Sequence, residues 1–395
     1  MLPAARAQAA IEILDAVIAA ARDGGPAADT LIARYFATRR YAGSKDRRAV
    51  RELVYRAIRG AAERPDSGRA AMLAVAAWEP ELLASFDGSP HGPVPPEPDE
   101  LRAPGDASPL PAWLAGRLDP LVGPDEFPAL LGRAPLDLRV NRLKGSREEA
   151  LAQLPEAGPT PLSPLGLRLP DGFRVEEARA WQSGLVEIQD EGSQLLSLAC
   201  AVAPGMTVLD LCAGAGGKTL ALAAEMANRG RLAASDTDRS RLSRMAPRLQ
   251  RAGATIVEPR LLDPGRERAA LDDLAGAADL VLVDAPCSGT GTWRRNPELR
   301  WRLTPERLDR FVRVQASLLD LAAALVRPGG HIVYAVCSTL TNEGRRQAES
   351  FSGRSAMVPE EIAIGFGRAA GPGRLLTPGH DGTDGFFVAR WKAPC

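Results

Sequence analysis

Two hydrophobic patterns alternate along the second half of the chain. Short apolar runs end in a polar residue or a cysteine, and stretches with helical spacing lie between them. One run leads into the turn Leu209-Asp210-Leu211-Cys212-Ala213-Gly214-Ala215-Gly216-Gly217-Lys218-Thr219, followed by the helical pattern Leu220–Met226. Arg231–Asp236 reads as a strand ending in a carboxylate, Thr255–Leu261 as a β-prone run leading to Asp263, and Asp279–Asp284 as a near-continuous apolar strand. Leu318–Val326 reads as helix stopping at Pro328-Gly329-Gly330, and His331–Cys337 as a further strand. This alternation predicts a parallel, doubly wound α/β sheet whose ligands collect at the carboxyl ends of its strands. Asp210, Asp236, Asp263, Asp284, Cys287 and Cys337 all fall at or just past those ends, so they can share one crevice.

The first part of the chain carries the helical period alone. Ala9–Ala21 places Ile11, Leu14, Val17, Ile18 and Ala21 on one stripe, and Asp23-Gly24-Gly25-Pro26 stops it. Helical stretches follow at Leu31–Thr38, Asp46–Arg59 and Ala70–Trp78. The expected division is a helical module over 1–86, a Pro/Gly-rich linker over 87–111, a helix with a small α/β subdomain over 112–184, and the catalytic α/β domain over 185–395. Trp113–Leu131 reads as helix in pieces. In the subdomain, Leu136–Asn141 and Leu165–Leu169 read as strands, and Ser146 with Glu149 forms a capping box for Arg147–Leu154.

The glycine-rich turn has the chemistry of a nucleotide site. Glycines after a strand permit close backbone approach, and the helix behind them directs N–H groups at a polar ligand. Its spacing is neither the dinucleotide fingerprint nor a P-loop. A carboxylate about 20 residues further on suits a ribose hydroxyl pair, which makes Asp236 the ribose candidate. Two cysteines stand downstream, in Asp284-Ala285-Pro286-Cys287-Ser288-Gly289-Thr290-Gly291 and in Tyr334-Ala335-Val336-Cys337-Ser338. A cofactor turn beside two thiols suggests covalent group transfer. Cys200 and Cys212 sit in apolar runs and read as core residues.

Taken together, the turn, Asp-Ala-Pro-Cys-Ser-Gly-Thr-Gly and Tyr-x-x-Cys-Ser resemble the Sun/RsmB family of RNA 5-methylcytosine methyltransferases, which use S-adenosylmethionine. Val186–Gln194 and Leu138–Asn141 extend the likeness over most of the chain. The resemblance implies a Rossmann-like class I methyltransferase domain preceded by an all-α NusB-like RNA-binding domain, matched at Gly43–Arg48, and by a small RNA-facing α/β subdomain. It implies Cys337 as nucleophile, Cys287 as the thiol that assists product release, Asp284 at the cytosine ring and Lys218 organising that acid. It also implies that Cys212, Ala213, Gly214, Ala215, Gly216, Gly217 and Lys218 line the cofactor, with Asp236 and Asp263 on its ribose and adenine and Asp284 at the edge of the same site. Asp263, before Pro264-Gly265, is equally an ordinary turn residue. Three departures stand out: Gly214-Ala215 in the turn where the family has Ala-Pro, Val336 where a threonine usually precedes the nucleophile, and an acidic stretch after Cys337 reduced to Asn342-Glu343.

The reaction needs these groups. The acceptor carbon of a pyrimidine is a poor nucleophile until a thiolate adds to the neighbouring ring carbon. An acid must then meet the charge that develops near the ring nitrogen, a task open to Asp284 only with an elevated pKa.

Among 395 residues, 49 Lys and Arg balance 49 Asp and Glu, so no global positive field exists and RNA contact falls to local patches. Arg34, Arg39, Arg40, Lys45, Arg47, Arg48, Arg51, Arg56 and Arg59 face only Asp46 and Glu52 in their stretch. A second patch, Trp293-Arg294-Arg295 to Arg300-Trp301-Arg302, interleaves aromatics with arginines and suits an unpaired, flipped nucleotide. Five cysteines, an odd number, do not form a disulfide framework. Three scattered histidines give no metal site, and no apolar stretch suits a membrane or a signal peptide. The expectation is a cytoplasmic monomer acting on ribosomal RNA, with no metal and no membrane partner. Transfer RNA, a DNA or protein target, and a non-catalytic RNA-binding or assembly protein on the same scaffold remain as alternatives.

Overall fold

Each hydrophobic stripe of the first part of the chain is buried against another. The computed structural model describes residues 1–101 and 109–395. Its residues form two units, Met1–Arg117 with Thr292–Pro305 and Leu118–Gly291 with Glu306–Cys395.

In the first unit, helices Pro3–Asp23, Ala28–Ala37, Ser44–Gly60 and Gly68–Ala76 bury Leu14, Val17, Ile32, Val50, Val54, Ile58 and Met72 in one core. Gly24 ends the first helix in the left-handed region. Gly68 is required by packing, because a Cβ there would meet the Ile11 carbonyl oxygen at 2.2 Å. The part of the expected linker between 87 and 101 is fastened to this bundle. Arg69 pairs with Glu100 and donates to the Val94 and Pro95 carbonyls. The stretch 102–108 of that linker lies outside the described residues.

The Trp293–Arg302 stretch corrects the sequence reading. It belongs to the helical unit's interior and offers no stacking platform. Trp301 lies in the bundle core and donates its indole N–H to the Ala61 carbonyl at 2.9 Å, while Trp293 is fully buried. Arg300, also buried, donates to the Ile58 and Arg59 carbonyls at 2.8 and 3.0 Å. Those are last-turn carbonyls of helix Ser44–Gly60, which lack intrahelical donors and carry the negative end of its dipole. Burial lowers the Arg300 guanidinium to about 10, leaving it charged at neutral pH. Arg302 donates to the Gly25 and Pro26 carbonyls beyond the first helix.

The second unit holds two sheets. Strands β1 (Leu136–Val140), β2 (Gly158–Pro159), β3 (Gly166–Leu169) and β4 (Val186–Ile188) form a small antiparallel sheet in the order β2-β3-β1-β4. The pairing of β4 with β1 puts Val186–Ile188 in the small sheet, where the sequence reading had placed it at the start of the catalytic domain. The capping box at Ser146 and Glu149 is present.

The larger, nine-stranded sheet has β5 (Thr207–Asp210), β6 (Arg231–Asp236), β7 (Val257–Leu261), β8 (Ala278–Asp284) and β9 (Val326–Val336) parallel, in the order β9-β8-β5-β6-β7. The reversal between β5 and β8 is the switch point where such sheets bind ligands. Beyond β9 the sheet turns antiparallel through β13 (Phe386–Lys392), which pairs with both β10 (Val358–Glu360) and β12 (Gly373–Leu376), and ends at β11 (Arg368–Ala370). These antiparallel strands were not foreseen in the sequence; β10, β11 and β12 run only three or four residues, and the helix Pro378–Asp381 joins β12 to β13. Among the described residues no helix is long and apolar enough to cross a membrane.

Truncating Trp301 to Ala removes a fully enclosed indole from the helical core and leaves the Ala61 carbonyl without its donor. The expected cost is about 3–5 kcal/mol. Amide hydrogen exchange should show that loss in helices Pro3–Asp23 and Ser44–Gly60; unchanged protection there would contradict the packing described.

Candidate active site

The parallel pairing of β8 and β9 sets Asp284 opposite Ala335, so the two strands end side by side. The loops that leave them carry Cys287 and Cys337, whose sulfurs lie 3.3 Å apart. Both thiols are half-buried and neither is in a disulfide. The hydrogen bond to Cys337 and burial hold the Cys287 thiol well above its ordinary pKa. Ser288 and Ser338, each next to a cysteine, share the carboxylate of Glu343, which is fully buried. Burial raises the Glu343 carboxyl despite those hydrogen bonds.

Lys218 comes from the helix Gly217–Glu225 and donates to Asp284 Oδ2 at 2.7 Å. Burial works against its charge, but Asp284, Cys337 and Asp210 more than offset it, and the ammonium stays above its ordinary value. The positive charge therefore stands within electrostatic reach of Cys337. Val336, the departure just before that cysteine, is fully buried in the cluster that also takes Ile332 and Tyr334, while Cys337 packs against the cluster on the other face. Neighbouring strand residues point to opposite faces, so Val336 changes the core beneath the loop and removes no group from beside the thiol.

The glycine turn closes between β5 and Lys218. Gly214 and Gly216 have φ of 56° and 86°, the region open to glycine. A Cβ on Gly217 would meet nothing within 4 Å, so open space lies beside it. Gly214 N–H donates to Asp236 Oδ2 and Asp238 N–H to Asp236 Oδ1, which fix that carboxylate at the end of β6. Two guanidinium groups brace the turn from behind: Arg248 donates to the Ala215 carbonyl at 2.8 Å and Arg139 to the Gly217 carbonyl at 3.0 Å. Arg248 also pairs with buried Glu187, and Arg139 also donates to Gln189. Ala213 is buried and donates its N–H to Ser235 O. Cys212 packs its side chain against the main core. Asp263 lies exposed two residues past β7, and its carbonyl accepts from Arg266 N–H.

Sequence reasoning placed Asp210 at the crevice but gave it no role, and it passed over Glu343. Asp210 Oδ2 accepts from the Thr219 hydroxyl at 2.7 Å, while its Oδ1 is buried without a protein partner. Burial pushes the carboxyl up to about 7. Its signal was its place at the end of the strand entering the turn.

The methyltransferase model for 16S rRNA enzymes RsmB/F matches residues 197–392. The chain is 38% identical over 289 residues to the ribosomal RNA small subunit methyltransferase B of Xylella fastidiosa, covering 71% of this chain and 68% of the relative. It belongs to the RsmB/F methyltransferase family. A relative of the same name from Salmonella paratyphi B is 34% identical over 71% of this chain, and the match spans 65% of its length, just under two thirds. The crystal structure of PH0851 shares the fold with a TM-score of 0.78 at 24% identity, covering 99% of each chain. Family membership makes S-adenosylmethionine the cofactor. The residues fit such a group: a glycine turn with open space beside Gly217, a fixed carboxylate at the next strand end, and a buried unpartnered oxygen at Asp210.

The elevated Asp210 carboxyl sets a pH test. Its folded pKa lies above the unfolded one, so its contribution to stability is complete in acid and lost as pH rises through about 7. Compared with Asp210→Asn by urea unfolding without cofactor, the wild type should lose ground from about pH 4 to about pH 7 and level off above about pH 8. A pH-independent difference would mean that Asp210 is not held protonated.

Proposed function

We propose that the chain transfers a methyl group to carbon 5 of a cytosine in small-subunit ribosomal RNA, through a covalent adduct between Cys337 and the base. The observation that carries this reading is the pair of thiols 3.3 Å apart beside the Lys218–Asp284 ion pair. The small-subunit target rests on the names of the relatives.

In this reading Cys337 adds as thiolate to carbon 6, and the electron pair of the ring double bond moves toward carbon 5 and the ring nitrogen. Lys218 and Asp284 meet the base together, one offering ammonium donors and the other a carboxylate acceptor. The sequence reading gave Asp284 alone the acid's task; the 2.7 Å ion pair favours the ammonium as the source of positive charge. S-adenosylmethionine supplies the electrophilic methyl group when bound. The turn from Cys212 to Lys218, with Asp236 and Asp263, is the proposed cradle for it. Cys287, ionised once Cys337 is bonded, then takes the proton from carbon 5, directly or through water, the electron pair restores the ring double bond, and the Cys337 sulfur departs as thiolate.

The helical unit is the proposed RNA-binding module, of NusB-like type. Several arginines of its basic stretch are paired with carboxylates from elsewhere in the unit: Arg39 with Glu12, Arg51 with Asp29 and Arg56 with Glu79. Arg34, Arg40, Lys45 and Arg48 stay exposed with no carboxylate partner among the described residues, and they make the narrower candidate surface for phosphate.

A denaturing gel tests the chemistry. Cys287→Ala incubated with S-adenosylmethionine and unmethylated 16S rRNA should accumulate a shifted protein–RNA band, and adding Cys337→Ala should abolish it. No band from Cys287→Ala while the wild type methylates the RNA would sink the two-cysteine mechanism. A band with transfer RNA and none with ribosomal RNA would move the target.

A further inference from the structure

We infer that Glu343 is a positioning residue that holds the Cys287 and Cys337 loops at working distance, an inference that rests on the two-thiol reading above. Its carboxylate is enclosed, and every donor it meets belongs to one of three elements. Ser288 donates through both its backbone N–H, at 2.9 Å, and its hydroxyl. Ser338 donates through its hydroxyl at 2.6 Å. Gln315, on the helix Pro305–Leu325, donates to Glu343 Oε1 and to the Pro286 carbonyl, both at 3.0 Å.

The residues gripped are those that fix the sulfurs. Ser288 follows Cys287, Ser338 follows Cys337, and Pro286 precedes Cys287. One carboxylate therefore ties the residue after each thiol to the other, from beneath. Its own backbone is anchored as well, since the Tyr334 hydroxyl donates to the Glu343 carbonyl at 2.6 Å. A second layer works in parallel: the Thr290 hydroxyl receives the Thr339 N–H at 2.9 Å and lies 3.2 Å from the Ser338 hydroxyl. Charge-assisted bonds of this kind are shorter and stronger than neutral ones, and a buried carboxylate without them would be costly. A structural role alone would need no such convergence on the neighbours of both thiols. Glu343 is not hydrogen-bonded to either sulfur; its charge helps raise the Cys287 thiol, and its hold on the sulfur–sulfur distance acts through the loops.

Thiol coupling reads the distance directly, without RNA or cofactor. Diamide takes two electrons and two protons from a close thiol pair, forming the sulfur–sulfur bond and its own hydrazine, and mass spectrometry follows the Cys287–Cys337 product. Wild type should couple quickly. Glu343→Ala should couple about 100-fold more slowly, and Glu343→Gln, which keeps shape and loses the charge, about 10-fold. In the methylation assay both should lose turnover in the same order with KM for S-adenosylmethionine unchanged. Thermal unfolding reports whether each variant is folded, and if Glu343→Ala is not, Glu343→Gln decides. A folded Glu343→Gln that couples and turns over like wild type overturns the inference. If wild type couples but methylates no RNA, the proposed function fails while the coupling rates still judge Glu343.

Discussion

The site depends on one constraint, the register of β8 against β9. Parallel strands place their carboxyl ends level, and with Asp284 opposite Ala335 the chains leave the sheet within reach of each other. A shift of one residue would turn each following side chain to the opposite face and separate the thiols. The register is held from both sides. Val281, Val283, Ile332 and Tyr334 fill one core, while Leu280, Leu282, Val333 and Ala335 fill the other. The antiparallel β13 then covers the far edge of β9 from His331 to Val336. Hydrophobic packing remote from any substrate thus brings together the two strand ends from which the cysteine loops leave.

Much of this was legible because a parallel strand buried on both faces announces itself as an apolar run, and its polar terminus marks the crevice. Asp236, Asp284, Cys287 and Cys337 were picked out as candidates that way, and they lie at or just past the ends of β6, β8 and β9. What the sequence hid was partnership over long separation. Glu343 looked like the remnant of an acidic stretch, and only folding brings Ser288 to it across 55 residues. Trp301 and Arg300 misled for a related reason. Aromatics alternating with arginines look alike whether they stack on bases or cap a helix, and the deciding carbonyls of Ile58, Arg59 and Ala61 lie some 240 residues away.

The same burial resolves the balanced net charge. Arginine in this chain is largely a structural donor: Arg139 and Arg248 support the turn, Arg300 and Arg302 close helix ends, and Arg69 fastens the proline-rich stretch. Five guanidinium donors in a rigid fork suit backbone carbonyls that a helix or turn leaves unpaired. Counting basic residues therefore overstates the surface available to a phosphate backbone. The residues left exposed on the helical unit are few, and their small number predicts a modest salt dependence for that unit's contribution.

The two thiols differ in surroundings, and the difference supports their assignment. The Lys218 ammonium counts Cys337 among the groups that raise it, with Asp284 and Asp210. A negative charge on the pair is thus best compensated at Cys337. Cys287 is held above its ordinary pKa by its hydrogen bond to Cys337, by burial and by the nearby charge of Glu343. Cys287 is therefore the thiol that these surroundings keep protonated. In the proposed reaction, a Cys337 bonded to carbon 6 would no longer carry the charge that opposes ionisation of Cys287. On that proposal Cys287 would become easier to ionise only after the adduct forms, so the order of the two proposed roles would follow from one shared charge.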